Sequence, residues 1–149
     1  MTPARAGLVL LAFLLVASDL GAKALARWGL RASDLELGPF LALRLRFNEG
    51  STFGLLPAGS ATWLVAGVVV FVAIFGWWFA PRSGSIALGA AVVSAGGTGN
   101  LADRWLQGRV TDFVAIRVSD WQLPIFNLAD TFLVLGVLII LWPRPKPDA

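Results

Sequence analysis

Residues 61–80 read ATWLVAGVVVFVAIFGWWFA, twenty positions without one charged side chain. Crossing the hydrocarbon core of a bilayer takes about 20 such residues in a helix. Working outward from this run, three more apolar stretches emerge at 6–26, 85–102 and 125–142. The third of the four, 85–102, is rich in Gly and Ala, which suits close helix–helix approach in lipid. The whole chain is 57% hydrophobic and only 14% charged, with a mean hydropathy of +0.75. A soluble domain covers itself with roughly 25% charged residues. The expectation is one integral membrane domain over residues 1–149, with four spans and no internal repeat.

The first run carries Asp19 and Lys23. They stand four residues apart, so they share a helix face and can neutralise each other. The same run also fits a cleaved signal peptide, with Arg5 before an apolar centre and Ala24-Leu25-Ala26 as the cleavage site. The buried-pair spacing favours a retained helix. The seven Trp (28, 63, 77, 78, 105, 121 and 142) fall at or near the proposed span ends. A half-buried indole ring with a wet N–H belongs at the membrane–water interface.

A net charge of +3 and a pI of about 10.6 would suggest nucleic acid in a soluble protein. Here the arginines sit in loops between apolar runs, where they meet lipid headgroups and set topology. Arg5, Arg82, Arg144 and Lys146 occupy the short tails and the tight turn at 81–84. Seven more arginines lie in the two long loops, so the raw count and the density disagree. The rule works best on short flanks, which puts both termini in the cytoplasm. The long loops alternate apolar and polar residues at 35–37, 43–47 and 110–118. That period of two predicts a small half-buried sheet on the outer face, with Asp112 on a strand.

There is no His and no Cys. Imidazole bases, thiol nucleophiles and soft metal ligands are therefore missing, and carboxylates are the remaining agents of chemistry. Asp112 and Asp130 stand close to membrane depth. Asp130 follows Asn127 by three, which would put both on one helix face. Two carboxylates brought together cannot both stay ionised, and the pair then holds an acid and a base. Spacing alone favours a blander reading, in which each Asp pairs with an Arg or caps a helix. Asn100, Asp103 and Arg104 form a polar cluster at a span end, with Arg104 expected to pair with a carboxylate. Asn48, in Asn48-Glu49-Gly50-Ser51-Thr52, could bind a peptide backbone or serve a turn. The Gly96-Gly97-Thr98-Gly99 stretch lacks the Lys and the strand–turn–helix setting of a phosphate loop. A Ser18–Lys23 catalytic pair is disfavoured by its five-residue spacing. A proton-coupled carrier using Asp19, Lys23 and Asp130 is the non-enzyme alternative, though the acids cluster at one face rather than through the bilayer.

Five blocks in this order resemble the lipoprotein signal peptidases, or signal peptidase II: Asp19 to Lys23, Asn48 to Gly54, Gly99 to Arg104, Gly108 to Phe113, and Phe126 to Asp130. The resemblance implies an aspartic endopeptidase of the bacterial inner membrane. Its fold would be four transmembrane helices with a small extracytoplasmic β-cradle, an otherwise all-α membrane protein. It would cut diacylglyceryl-modified prolipoproteins just before the lipidated Cys. Asp112 and Asp130 match the family's catalytic pair. Asn48, Gly50, Asn100, Arg104, Asn127 and Ala129 match positions around the site, and Asp19 and Lys23 match a supporting pair. The resemblance implies no metal or cofactor, a monomer in contact with membrane lipid, no nucleic acid, and globomycin as an inhibitor. Ser51 and Thr52 stand where the family usually has alanines, a difference expected to bear on substrate fit.

Overall fold

A computed structural model describes residues 3–49, 60–79, 84–119 and 121–143. Four helices appear among them: α1 (Pro3–Gly29), α2 (Ser60–Phe79), α3 (Gly84–Gln107) and α4 (Leu128–Leu141). Between them lie β1 (Leu35–Glu36), β2 (Leu41–Asn48), β3 (Val110–Val118) and β4 (Trp121–Gln122). These strands form one antiparallel sheet in the order β1-β2-β3-β4. The protein is therefore mostly helical with a small antiparallel sheet, as the alternating loop patterns predict. Helices α1 and α3 are long and apolar enough to cross a membrane, and α4 is a shorter apolar helix.

The molecule is arranged with its large apolar side chains outward. Val9, Leu10, Phe13 and Leu14 of α1, Phe71 and Ile74 of α2, and Val134 and Leu138 of α4 are all exposed. The interior is built from small and polar groups instead. Ala87, Ala90, Ala95 and Ala129 are buried, and the largest fully buried side chains are Lys23, Asn127, Thr111, Asp19 and Asp103. In water such an apolar outer surface would be a large liability. In lipid, where apolar tails offer no drive for apolar burial, close packing and polar contacts hold helices together.

Helix α3 is the hub, packed against α1, α2 and α4. Its glycines explain the close approach to α4. A Cβ on Gly89 would stand 2.7 Å from the Gly136 carbonyl oxygen, and one on Gly136 would stand 2.7 Å from that of Gly89. These neighbours are backbone and cannot turn aside. Gly89→Ala and Gly136→Ala should each destabilise the fold by about 1–3 kcal/mol through overpacking. Gly21, with nothing within 4 Å of its would-be Cβ, supplies the control: Gly21→Ala should be neutral or stabilising by up to about 1 kcal/mol. Unfolding in detergent by denaturant measures all three.

Helix α1 runs three residues beyond the expected span at each end, and two further boundaries depart for identifiable reasons. Helix α3 continues past position 102 to Gln107, because the Asp103 charge has buried partners and does not end the helix. Gly108, at φ +74°, then stops it, and its N–H caps the Arg104 carbonyl at 2.9 Å. A left-handed residue after the last turn favours Gly. Helix α4 starts at Leu128 rather than at 125, because Phe126 is bonded to β3. Its N–H donates to the Val114 carbonyl at 3.1 Å, and its carbonyl accepts from Phe113 and Val114. Asn127 is therefore the N-cap of α4 and not on a helix face with Asp130.

Candidate active site

The capping of α4 builds the site. Asn127 is extended and fully buried, and Asp130 occupies the third helical position. The Asp130 N–H donates to Asn127 Oδ1 at 3.0 Å, and the Asn127 N–H donates to Asp130 Oδ2 at 3.1 Å. This reciprocal capping box satisfies two otherwise orphaned donors. It also aims the rest of the Asn127 amide away from the helix. Its Nδ2 donates to Asp112 Oδ1 at 2.6 Å. One asparagine thus ties the two aspartates together.

Asp112 reaches this point through the sheet. It sits on β3 opposite Arg46 of β2, next to a register irregularity between Leu43 and Arg46. Its carboxyl also shares a hydrogen bond with Asn48. Thr111, its buried neighbour, is held by Asp103: the Thr111 N–H donates to Asp103 Oδ2 at 2.7 Å. Arg27 Nη1 bridges Asp103 Oδ1 at 2.9 Å and Thr111 Oγ1 at 2.8 Å. Among the described residues Arg104 has no ion pair; Asp103 takes Arg27 instead. Arg27 and Thr111 were not singled out from sequence. The signal was weak, since Arg27 looked like one more loop arginine and Thr111 like any polar residue in an alternating strand.

The second support comes from α1. Lys23 Nζ pairs with Asp19 Oδ2 at 2.8 Å and donates to Asn100 Oδ1 at 2.7 Å. Asn100 Nδ2 then donates to Asp130 Oδ1 at 2.8 Å. Asp19 Oδ1 accepts the Ala129 N–H at 2.8 Å. Ala129 is wholly buried, wedged where α4 meets Gly96 and Gly99 of α3. Ser18 donates to the Leu15 carbonyl and takes no part.

Asp112 and Asp130 line one cavity of about 360 Å³. Asn48, Asn100 and Arg104 complete its polar side, and Val68, Val69, Val93 and Leu133 form an apolar wall. The Arg104 Nε is buried without a hydrogen-bond partner among the described residues. Gly50, Ser51 and Thr52 lie outside the described residues.

Burial pushes the Asp112 carboxyl up to about 6, and the Asp130 charge adds to the rise against the opposing Asn127 hydrogen bond. A carboxyl raised by folding is destabilising once it ionises. Its penalty is absent below about 3.8, grows between there and about 6, and persists above. The full shift corresponds to about 3 kcal/mol, reduced by water in the open cavity to about 1–2 kcal/mol. Asp112→Asn should therefore match the parent chain in thermal stability near pH 3.5 and exceed it above about pH 6.

A family model described as signal peptidase (SPase) II matches residues 11–143. The lipoprotein signal peptidases of Brucella ovis and Brucella melitensis are each 37% identical to this chain over 122 residues, covering 76% of both chains. Two solved structures, titled as a bacterial membrane enzyme, superpose with TM-scores of 0.76 and 0.74 at 26% identity. Each covers 91% of this chain, and the match spans 90% and 85% of theirs.

Proposed function

This chain belongs to the signal peptidase II family, and on that premise we propose that it is an aspartic endopeptidase acting at the membrane surface. Its substrate is a diacylglyceryl-modified prolipoprotein, cut just before the lipidated Cys. One observation carries this reading: Asp112 and Asp130 face one cavity that is polar on one side and apolar on the other. A lipidated peptide has the same two-sided chemistry. The apolar wall takes acyl chains and signal-peptide side chains, and the polar side takes the scissile amide.

One carboxylate of the pair deprotonates water, and the other, protonated, polarises the scissile carbonyl. Arg104, whose Nε has no hydrogen-bond partner among the described residues, supplies a donor to the substrate backbone. Asn48, at the end of β2 and lining the same cavity, does the same. In this reading all four helices span the bacterial inner membrane, both termini are cytoplasmic and the sheet lies outside. Exposed Trp28, Trp105 and Trp121 near the sheet, and Trp78 and Trp142 at the opposite helix ends, suit two interfacial belts. The enzyme works as a monomer.

The test is incubation of the purified protein in lipid vesicles with a prolipoprotein, with and without its diacylglyceryl group. The expected result is cleavage before the modified Cys only, blocked by globomycin. Absence of cleavage of the lipidated form, or equal cleavage of the unmodified form, would reject the proposal.

A further inference from the structure

We propose that Lys23 is a positioning residue that fixes which aspartate carries the shared proton, leaving it on Asp112 and making Asp130 the ionised base. The inference rests on the peptidase reading and deepens it. Two asparagine amides link the groups, and each is locked by a partner that can only donate. An ammonium has no acceptor, so Lys23 Nζ, 2.7 Å away, must face Asn100 Oδ1. The NH2 end of Asn100 is then turned onto Asp130 Oδ1. The Asp130 backbone N–H likewise only donates, so it must face Asn127 Oδ1. The NH2 end of Asn127 is then turned onto Asp112 Oδ1. Amide orientation, often ambiguous, is settled here by chemistry.

The two carboxyl groups are left unequal. Asp130 accepts on both oxygens, from the Asn100 amide and from the Asn127 N–H. A proton on either oxygen would confront an N–H that cannot reverse. Asp112 accepts on Oδ1 from Asn127. Its other bonded side chain, Asn48, lowers the carboxyl as a donor, but an amide carries an acceptor as well and can turn its oxygen to a protonated carboxyl. Asp112 therefore has room for a proton and Asp130 does not. The net upward push on Asp112, set first by burial, agrees, although the Lys23 charge at its greater remove opposes it. The charged groups facing the pair are Asp19 and Lys23 from α1, Arg104 from α3, and Arg46 and Glu49 beside β2. Lys23 alone reaches an aspartate of the pair through an orientation-locked amide.

The step balances as follows. Asp130 takes a proton from water as its oxygen bonds the scissile carbonyl carbon. The carbonyl electron pair moves to oxygen, which takes the proton of Asp112. On collapse the C–N bond breaks, the amine leaves with the proton held by Asp130, and the new carboxyl group returns a proton to Asp112.

Two measurements test the assignment. Infrared spectra at about pH 5, below the value near 6 for Asp112, report protonated carboxyl groups directly. The band should lose about one carboxyl group's intensity in Asp112→Asn and little in Asp130→Asn. The reverse pattern, or a band of equal strength in both, overturns it. This measurement requires no cleavage, so it stands apart from failure of the peptidase reading, which the unmodified enzyme reports by not cutting. The second measurement uses Asp19→Asn/Lys23→Met, which removes the ion pair without leaving a lone buried charge. It should lower kcat about 10- to 100-fold with little change in KM, and move the acid limb of the pH–rate profile upward. An unchanged profile overturns the role of Lys23. If this variant does not fold, Asn100→Leu, which cuts the link from Lys23 to Asp130 and leaves the ion pair in place, should move the same limb upward, and an unchanged profile there overturns the role of Lys23.

Discussion

Asp112→Asn and Asp130→Asn should each lower the cleavage rate of a lipidated prolipoprotein by roughly 10³-fold or more, while both proteins stay folded. The folding half of this expectation follows from the hydrogen bonds. Asn at 112 keeps a carbonyl to accept the Asn127 Nδ2, and Asn at 130 keeps one to accept the Asn127 N–H. Asn at 130 also turns its NH2 onto the Asn100 Nδ2. That loss of one hydrogen bond costs about 1–3 kcal/mol without unfolding the protein. The catalytic half follows from the loss of titration. An amide neither takes a proton from water nor hands one to an oxyanion. Because the two act as a unit, the double variant should be hardly worse than either single one. Helix content and melting in detergent check the fold, and mass spectrometry of the product checks the chemistry. More than about a tenth of parental activity in both singles would remove the pair from the mechanism.

Lys23→Met alone and Asp19→Ala alone should each destabilise the protein by about 3–5 kcal/mol, whereas Asp19→Asn/Lys23→Met should cost distinctly less than their sum. Lys23 is 0% and Asp19 1% exposed, so losing either partner strands a charge that water cannot reach. Asp19→Ala also leaves the Ala129 N–H without its acceptor. A denaturant series in one detergent gives all three values. Additive costs would mean that the pair is not coupled.

The architecture was legible in the sequence where hydrophobic period is a strong signal. Residues 61–80 became Ser60–Phe79, and the alternation at 110–118 became β3 with the same limits. Boundaries failed where a tertiary partner reversed the local preference. Asp103 looked like a terminator because its Arg27 and Thr111 partners are 76 and 8 residues away. Phe126 looked like part of a span because its strand partner, Val114, lies in another segment. The aspartates could be named from the resemblance, but their linkage could not. An Asn three residues before an Asp reads as a helix face or as a cap with equal ease. Only the extended conformation of Asn127 turns its amide towards Asp112. The Lys23–Asn100 contact spans 77 positions, and no local pattern encodes it.

The double duty of Asn127 has a consequence for timing. Synthesis runs from the N-terminal side, so the segment of α4, which follows the other three helices in sequence, is made after them. Until that segment coils and seats its first turn against β3, Asp112 has neither Asn127 nor Asp130 beside it. Under the proposed mechanism the nascent polypeptide is thus inert towards neighbouring precursors during its own biogenesis, and it acquires cutting power only when assembly is finished.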